Sequence, residues 1–217
     1  MKIFYTADTH LDHCFLQDLA NKAIREKAAL LHGGDFLDIY ECGRYPIEVQ
    51  IEHCTKLITT IQKHAAFFYT QGNHDIDNRT KNPNWITWDH GTIHTPDFVL
   101  TILKYNDPSN FEIATSGASH GTTLPWIILC HEPPAGSLTA GTGGSNLHRR
   151  IIEKFQPNYF LCGHHHNAPF SKTGSSTDKI GITNVLNPGK KYNGRPNYFE
   201  ITEENVKWYK TKINTKL

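Results

Sequence analysis

The 217-residue sequence has no run of about 18 apolar residues, which excludes a membrane-spanning helix. It has little charge of either sign in excess. Twenty-two Lys and Arg against 21 Asp and Glu leave a net charge of +1 and a pI near 7.7. No overall basic field therefore draws it to nucleic acid or an anionic membrane. A local basic patch would suffice for a nucleic acid, so that partner is not indicated by charge, yet not ruled out. Five cysteines (Cys14, Cys42, Cys54, Cys130, Cys162) form no C-x-x-C pair and leave an odd count. The opening Met-Lys-Ile-Phe-Tyr runs directly into a polar motif and leaves no room for an export signal. The expectation is a cytoplasmic protein with reduced thiols. Cys130 and Cys162 lie inside apolar runs and read as small core residues. No repeat, heptad or interdomain linker occurs, so residues 1–217 read as one domain, long enough for a substantial core.

What the sequence does have is six polar clusters: Asp8-Thr9-His10, Gly33-Gly34-Asp35, Gly72-Asn73-His74-Asp75, Cys130-His131, Gly163-His164 and His166. Most follow an apolar run (Ile3–Tyr5, Ala28–Leu31, Ala65–Tyr69, Trp126–Cys130, Tyr159–Cys162), as when buried strands deliver distant residues to one cleft. Between the first clusters, Leu16, Leu19, Ala20, Ala23 and Ile24 recur at helical spacing. So do Ile47, Ile51, Cys54, Ile58 and Ile61, with Pro46 in the opening turn. The pattern is βαβαβ, which implies parallel strands. Residues 76–92 read as a loop near the cleft. Ile93–Lys104 and Asn110–Gly117 read as strands paired in a hairpin. A loop at Gly136–Ser145 and a short helix marked by Leu147, Ile151, Ile152 and Phe155 follow. Ile182–Leu186, Asn197–Thr202 and Val206–Lys210 read as further strands. The architecture expected is two β-sheets face to face with helices outside.

Asp8 and His10, two residues apart on a chain leaving a strand, can turn toward one ion. Asp35 has two oxygens and can bridge two ions. Asn73 offers a neutral oxygen, and His131, His164 and His166 offer imidazole nitrogens. Nitrogen and oxygen ligation without thiolate suits Mn, Fe, Zn, Ni or Co. Two such ions, about 3.5–4 Å apart, hold a phosphoryl group and generate a hydroxide nucleophile.

With D-x-H, G-D, G-N-H-D, H and G-H-x-H all present in order, the chain resembles the calcineurin-like metallophosphoesterase superfamily over residues 1 to about 190. The resemblance implies an α/β (four-layer α+β) fold, an αββα sandwich of two mixed β-sheets flanked by helices. It implies two divalent transition-metal ions, manganese first, with Fe, Zn, Ni or Co as alternatives. Asp8, His10, Asp35 and His166 would hold the first ion; Asp35, Asn73, His131 and His164 the second. His74 would bind no metal and would stabilise the phosphoryl group or protonate the leaving oxygen. Asp75 would orient His74 by a hydrogen bond. The implied activity is hydrolysis of a phosphate ester by a hydroxide on the binuclear centre.

Departures from the family's subgroups narrow the substrate. Gly34-Asp35-Phe36-Leu37-Asp38-Ile39-Tyr40 lacks the Arg by which protein Ser/Thr phosphatases grip phosphate. His74 stands where lipid A pathway hydrolases carry Arg. The capping domain of break-repair nucleases is missing. There remains a small phosphodiesterase or phosphatase for a nucleotide-like or other small ester, with phosphodiester favoured. The alternatives are a small nuclease, or a non-catalytic scaffold like the superfamily's retromer subunit; retention of His74 and Asp75 argues against the scaffold. The sequence leaves oligomeric state open, along with the roles of His13, Lys190, Lys191 and Arg195. Asp12 borders the cleft, Asp38 reads as a helix cap, and His165 should point away from its ligand neighbours. Trp85 and Trp88 read as core or rim packing rather than base stacking, and Asn187-Pro188-Gly189 as a turn. Gly117-Ala118-Ser119-His120-Gly121 matches a nucleophile elbow, but Pro125 opposes the helix it needs. Gly136–Ser145 lacks a P-loop ending, and Pro133-Pro134 after His131-Glu132 excludes a zincin helix.

Overall fold

Most strand-forming segments are unbroken apolar runs because the strands are covered on both faces. The computed structural model describes residues 1–41, 44–76, 85–88, 90–119, 121–191 and 194–211. In one sheet, β1 (Lys2–Thr6), β2 (Ala29–His32) and β3 (Phe67–Tyr69) run parallel. Antiparallel β10 (Tyr198–Thr202) and β11 (Val206–Tyr209) extend it beyond β1, giving the order β11-β10-β1-β2-β3. The second sheet has the order β4-β5-β6-β7-β9-β8, from β4 (Gly91–His94), β5 (Val99–Ile102), β6 (Trp126–Leu129), β7 (Tyr159–Leu161), β8 (Thr177–Ile180) and β9 (Thr183–Leu186). Its inner strands β5, β6, β7 and β9 are parallel and its edges antiparallel.

Side chains alternate across each strand and so divide three cores. Ile3, Tyr5 and Leu31 point inward against Leu100, Ile127, Leu129 and Leu161 of the other sheet. Phe4 and Leu30 point outward to α1 (His13–Glu26) and α2 (Ile47–Gln62), meeting Leu16, Leu19, Cys54 and Ile58. Val99, Ile128 and Phe160 point outward to α3 (Asn110–Ala118) and α4 (Asn146–Phe155). The layers are α, β, β, α, as the sequence led one to expect. Cys130 and Cys162 are buried core residues, Cys14 is exposed, and Cys42 lies outside the described residues. Pro46 occupies the N-cap position of α2, one residue before the helix.

One expected element is wrong. Asn110–Gly117 is the helix α3, and the hairpin is formed instead by β4 and β5, turning at Thr95–Phe98. β4 begins at Gly91, inside the expected loop 76–92, of which residues 77–84 and 89 lie outside the described residues. The buried positions of α3 are Asn110, Ala114 and Gly117, at helical spacing but too small or polar to register as a hydrophobic period. Gly117 is required by proximity: a Cβ there would strike the Thr101 hydroxyl and come within 3.0 Å of Trp126. β8 is also new. It is an edge strand with only Ile180 buried.

His148, on α4, is buried beside Phe160, and its Nδ1–H donates to the Glu132 carbonyl at 2.8 Å. Burial pulls its pKa down to about 4. The native state thus needs the neutral ring, and the stability it confers is complete above the unfolded pKa of about 6.5. That stability, at most roughly 3 kcal/mol, is lost as pH falls toward 4. In His148→Gln, denaturant melts should show a shallower loss of stability between about pH 6.5 and 4. An unchanged slope would refute this assignment.

Candidate metal centre

Parallel strands β1, β2, β3, β6 and β7 all end at one edge of the sandwich, and every polar cluster sits just beyond one of those ends. The turns there are unusual. Asp8, His10, Leu11, Asp35 and His164 all adopt left-handed backbone, with φ of 56°, 42°, 65°, 60° and 65°. For residues with a Cβ this costs about 1–2 kcal/mol each. The loops offset it by holding one another. Asp8 N–H donates to Gly34 O at 2.9 Å, His10 N–H to Asp35 O at 3.0 Å, and Leu11 N–H to Phe36 O at 2.9 Å. Across the two sheets, His164 N–H donates to Asp8 Oδ1 at 2.9 Å. Gly163 allows this approach, since a Cβ there would lie 2.6 Å from Asp8 Oδ2.

Below these turns lies His32, which ends the Leu30-Leu31 run and which no motif marks. Gly34 N–H donates to its Nδ1 and its Nε2 meets the Thr9 hydroxyl, both at 3.1 Å, while its ring stacks on Phe36. Burial lowers its pKa to about 3, so it is a neutral strut between the first two loops.

Two donor sets meet above. In the first, one ligand atom each from Asp8, His10, Asp35 and His166 lies within 4.8 Å of the others. His10 Nε2 is 3.0 Å from His166 Nε2 and 3.7 Å from Asp35 Oδ2, and His166 Nε2 is 3.3 Å from Asp8 Oδ1. In the second, Asn73 Oδ1 lies 3.0 Å from His131 Nε2 and 2.8 Å from His164 Nδ1. His131 Nε2 is also 3.3 Å from Asp35 Oδ2, so this one oxygen borders both sets. Two atoms each about 2.1 Å from a common ion, at right or tetrahedral angles, lie about 3.0–3.4 Å apart.

Lone pairs decide what these sets can hold. The Nδ1–H of His10 donates to Leu37 O at 3.0 Å and that of His131 to Gly33 O at 2.7 Å, leaving Nε2 bare in both neutral rings. Bare nitrogens thus face carboxylate, amide oxygen and imidazole, and Asp8 Oδ2 is buried with no hydrogen-bond partner. Such a convergence is stable only around a cation. Burial opposes charge on His131, yet Asp35 and Asp8 outweigh it and push His131 up to about 9, a proton serving as the cation. Burial likewise opposes charge on Asp8 and Asp35, and the flanking histidines still hold both well below the usual carboxylate range. The residues fit divalent ions.

His74 has the opposite tautomer. Ile39 N–H donates to its Nδ1 at 3.3 Å, so the ring proton sits on Nε2, which faces Asp35 Oδ2 at 4.0 Å and the cleft. The orienting role expected of Asp75 is not there. Its carboxylate, fully buried, accepts the backbone N–H groups of Asp35, Phe36, Leu37 and Gly72 at 2.8–3.1 Å. The tight turn at Gly72–Asp75 folds the side chain back under its own loop, away from the ring. Burial and the Asp35 charge push its carboxyl up to about 7 against those four donors. The carboxylate beside the Nδ1 edge of His74 belongs to Asp38, whose Oδ1 is 3.9 Å away. Asp38 also caps the 3₁₀ turn Ile39–Glu41 through Tyr40 N–H, and the buried Gln50 side chain clasps its main chain at 2.9 and 3.0 Å. Asp75→Ala would leave four buried N–H groups unpaired and should cost several kcal/mol, at about 1–3 kcal/mol each before relaxation. A melting temperature within a few degrees of wild type would refute this.

The remaining sequence candidates separate cleanly. Arg195 is held by Asp12 through two hydrogen bonds of 3.0 and 3.1 Å, and Asp12 also caps α1. His13 turns to Cys54 and lines a separate groove with Tyr45 and His53. His165 packs over Gly143. Trp85 is core, donating to Asp75 O at 3.0 Å, and Trp88 packs against it. Ser119 follows a helix instead of preceding one. Asn187 braces the turn, donating to Thr139, Gly163 and His165 carbonyls. Lys190 and Lys191 line a cleft of about 700 Å³ with His10, His74, His166 and Tyr40. No helix among the described residues is long and apolar enough to cross a membrane.

Residues 1–198 match the family model for the calcineurin-like phosphoesterase superfamily domain. The chain belongs to that superfamily, and by family it is a metal-dependent hydrolase acting on phosphate esters. Its fold recurs in solved structures. One superposes with a TM-score of 0.68 at 17% identity, covering 95% of this chain and 97% of its own. A dimetal phosphatase from Danio rerio gives 0.58 at 10% identity, covering 96% of each chain. An archaeal phosphodiesterase gives 0.51 at 18% identity, covering 96% and 98%. No curated protein sequence matches the chain.

Proposed function

We propose that residues 1–217 act as one domain that hydrolyses a small, nucleotide-like phosphodiester at a two-ion centre. The single observation that carries this reading is the contrast of tautomers. His10 and His131 turn bare nitrogens toward shared points, whereas His74 turns an N–H into the cleft. Asp8, His10, Asp35 and His166 would hold one ion, and Asp35, Asn73, His131 and His164 the other. Bound there, two divalent ions, manganese first among them, supply a Lewis acid for phosphoryl oxygens and lower the pKa of water.

The chain's own groups account for the rest. Hydrolysis adds the oxygen of water to phosphorus and breaks the bond to the leaving oxygen, which must gain a proton. As the neutral ring, His74 can hydrogen-bond the leaving oxygen through Nε2–H. To give a proton it must first take one at Nδ1, exchanging the Ile39 N–H for the Asp38 carboxylate 3.9 Å away. The ring then releases the Nε2 proton and keeps the one on Nδ1. The cleft of about 700 Å³ has room for a leaving group of nucleotide size. Among the described residues its lining sets two lysines against the carboxylates of Asp38 and Glu41 and holds no arginine, which suits the single charge of a diester better than a dianionic monoester. Asp75 no longer argues against a scaffold, since a knot of backbone hydrogen bonds would serve a scaffold equally. His74 alone carries that distinction.

The test is hydrolysis of bis-p-nitrophenyl phosphate with added Mn²⁺ and after chelation. Turnover should require the ion. No metal-dependent turnover across several ions and pH values would overturn the reading.

A further inference from the structure

The 700 Å³ cleft is lopsided. It touches His10, His166 and His74, but Asn73, His131 and His164 do not line it. It therefore opens on the side where His74 presents its Nε2–H, which under the function proposed above is the side of the leaving oxygen. Whatever fills this space belongs to the leaving group.

Its lining combines an aromatic ring and two lysines with the carboxylates of Asp38 and Glu41. Tyr40 is 77% exposed, with its ring edge-on to His74 at a centroid distance of 5.2 Å. An aromatic face this open, rooted in a 3₁₀ turn held by Asp38, is a platform for another flat ring. Lys190 lines the same cleft. Its main chain is pinned by Lys190 N–H donating to His166 O at 3.0 Å and by a bridge to Pro196. Its half-buried ammonium makes no ion pair among the described residues, unlike Lys2 and Lys22, which reach Glu26 and Glu200, or Arg195, which is held by Asp12. A cation kept partly from water, which feels the charges of Asp8, Asp38, Asp12 and Asp35 yet touches none of them in an ion pair among the described residues, is placed for an anion that arrives with the substrate.

We propose that Lys190 and Tyr40 form a leaving-group subsite that selects diesters whose leaving group is itself a nucleotide, a flat ring carrying a further phosphate. The inference rests on the phosphodiesterase reading and adds the identity of the group released. Lys190 and Tyr40 are specificity residues here, since neither contacts the reacting oxygen.

The experiment compares the dinucleoside monophosphate ApA with its two end-phosphorylated forms, pApA and ApAp, using bis-p-nitrophenyl phosphate as the reference ester under one metal condition. One of the phosphorylated forms places its extra phosphate on the leaving nucleotide. That form should exceed ApA in kcat/KM by about tenfold or more, the size of one charge-assisted contact. In Lys190→Met the ratio should fall to about one, and Lys190→Arg should restore most of it, which a merely structural role would not do. Tyr40→Ala should raise KM for all three dinucleotides more than for the reference ester. Turnover of the reference ester with no preference among dinucleotides, or a preference that survives in Lys190→Met, overturns this inference alone. No turnover of any ester overturns the phosphodiesterase reading and the inference with it.

Discussion

His74→Ala is expected to lower kcat by about a hundred- to ten-thousandfold, the range of a general acid, while ion content and melting temperature stay near wild type. The separation is possible because His74 meets the centre twice in different ways. Its ring supplies the Nε2–H, whereas its backbone N–H donates to Asp35 Oδ1 at 2.9 Å and survives the substitution. Truncating the ring therefore leaves Asp35 in place. Asp38→Asn should be milder, roughly tenfold in kcat, because it removes the charge beside the His74 ring while an amide oxygen can still cap Tyr40 N–H. Elemental analysis beside single-substrate kinetics checks both. Ion content falling in step with activity in His74→Ala would mean that His74 is a ligand and not an acid.

Asp35→Asn should strip the centre. The Oδ2 of Asp35 lies 3.3 Å from His131 Nε2 and 3.7 Å from His10 Nε2, so one atom borders both donor sets. Replacing it removes a charge that both sets share, and ion stoichiometry should fall for both, with activity down by about a thousandfold or more. His10→Ala, which removes a donor from one set only, should lose mainly one ion. An unchanged stoichiometry in Asp35→Asn would refute the shared role.

The strands were readable because burial on both faces makes them plain apolar runs, as at Trp126–Leu129. The helices α1, α2 and α4 announce themselves through large apolar residues at helical spacing. α3 does not, because Asn110, Ala114 and Gly117 face its neighbours and the period is written in size instead of hydrophobicity. At the centre, the order of clusters showed which residues would meet, since strand ends fix where each cluster emerges. What each does there depends on turn geometry, which residue type conceals. The sequence motif put Asp75 beside His74 and marked Asp38 only as a helix cap. Only the fold of the Gly72–Asp75 turn, which buries one carboxylate under backbone N–H groups and leaves the other beside the ring, tells them apart. Left-handed backbone at Asp8, His10, Asp35 and His164 was equally hidden, because none of them is glycine.

The place of β1 has a consequence for how the molecule is made. This first strand is the middle of its sheet, and its register with β10 sets Lys2 opposite Thr202. The Asp8 carboxylate takes its hydrogen bond from His164, 156 positions later. A nascent chain therefore carries β1 with one edge unpaired until Tyr198–Thr202 has been made. Neither donor set can close before residues 164–166 have appeared. Ion binding by either set therefore has to follow synthesis of the segment that carries His164 and His166.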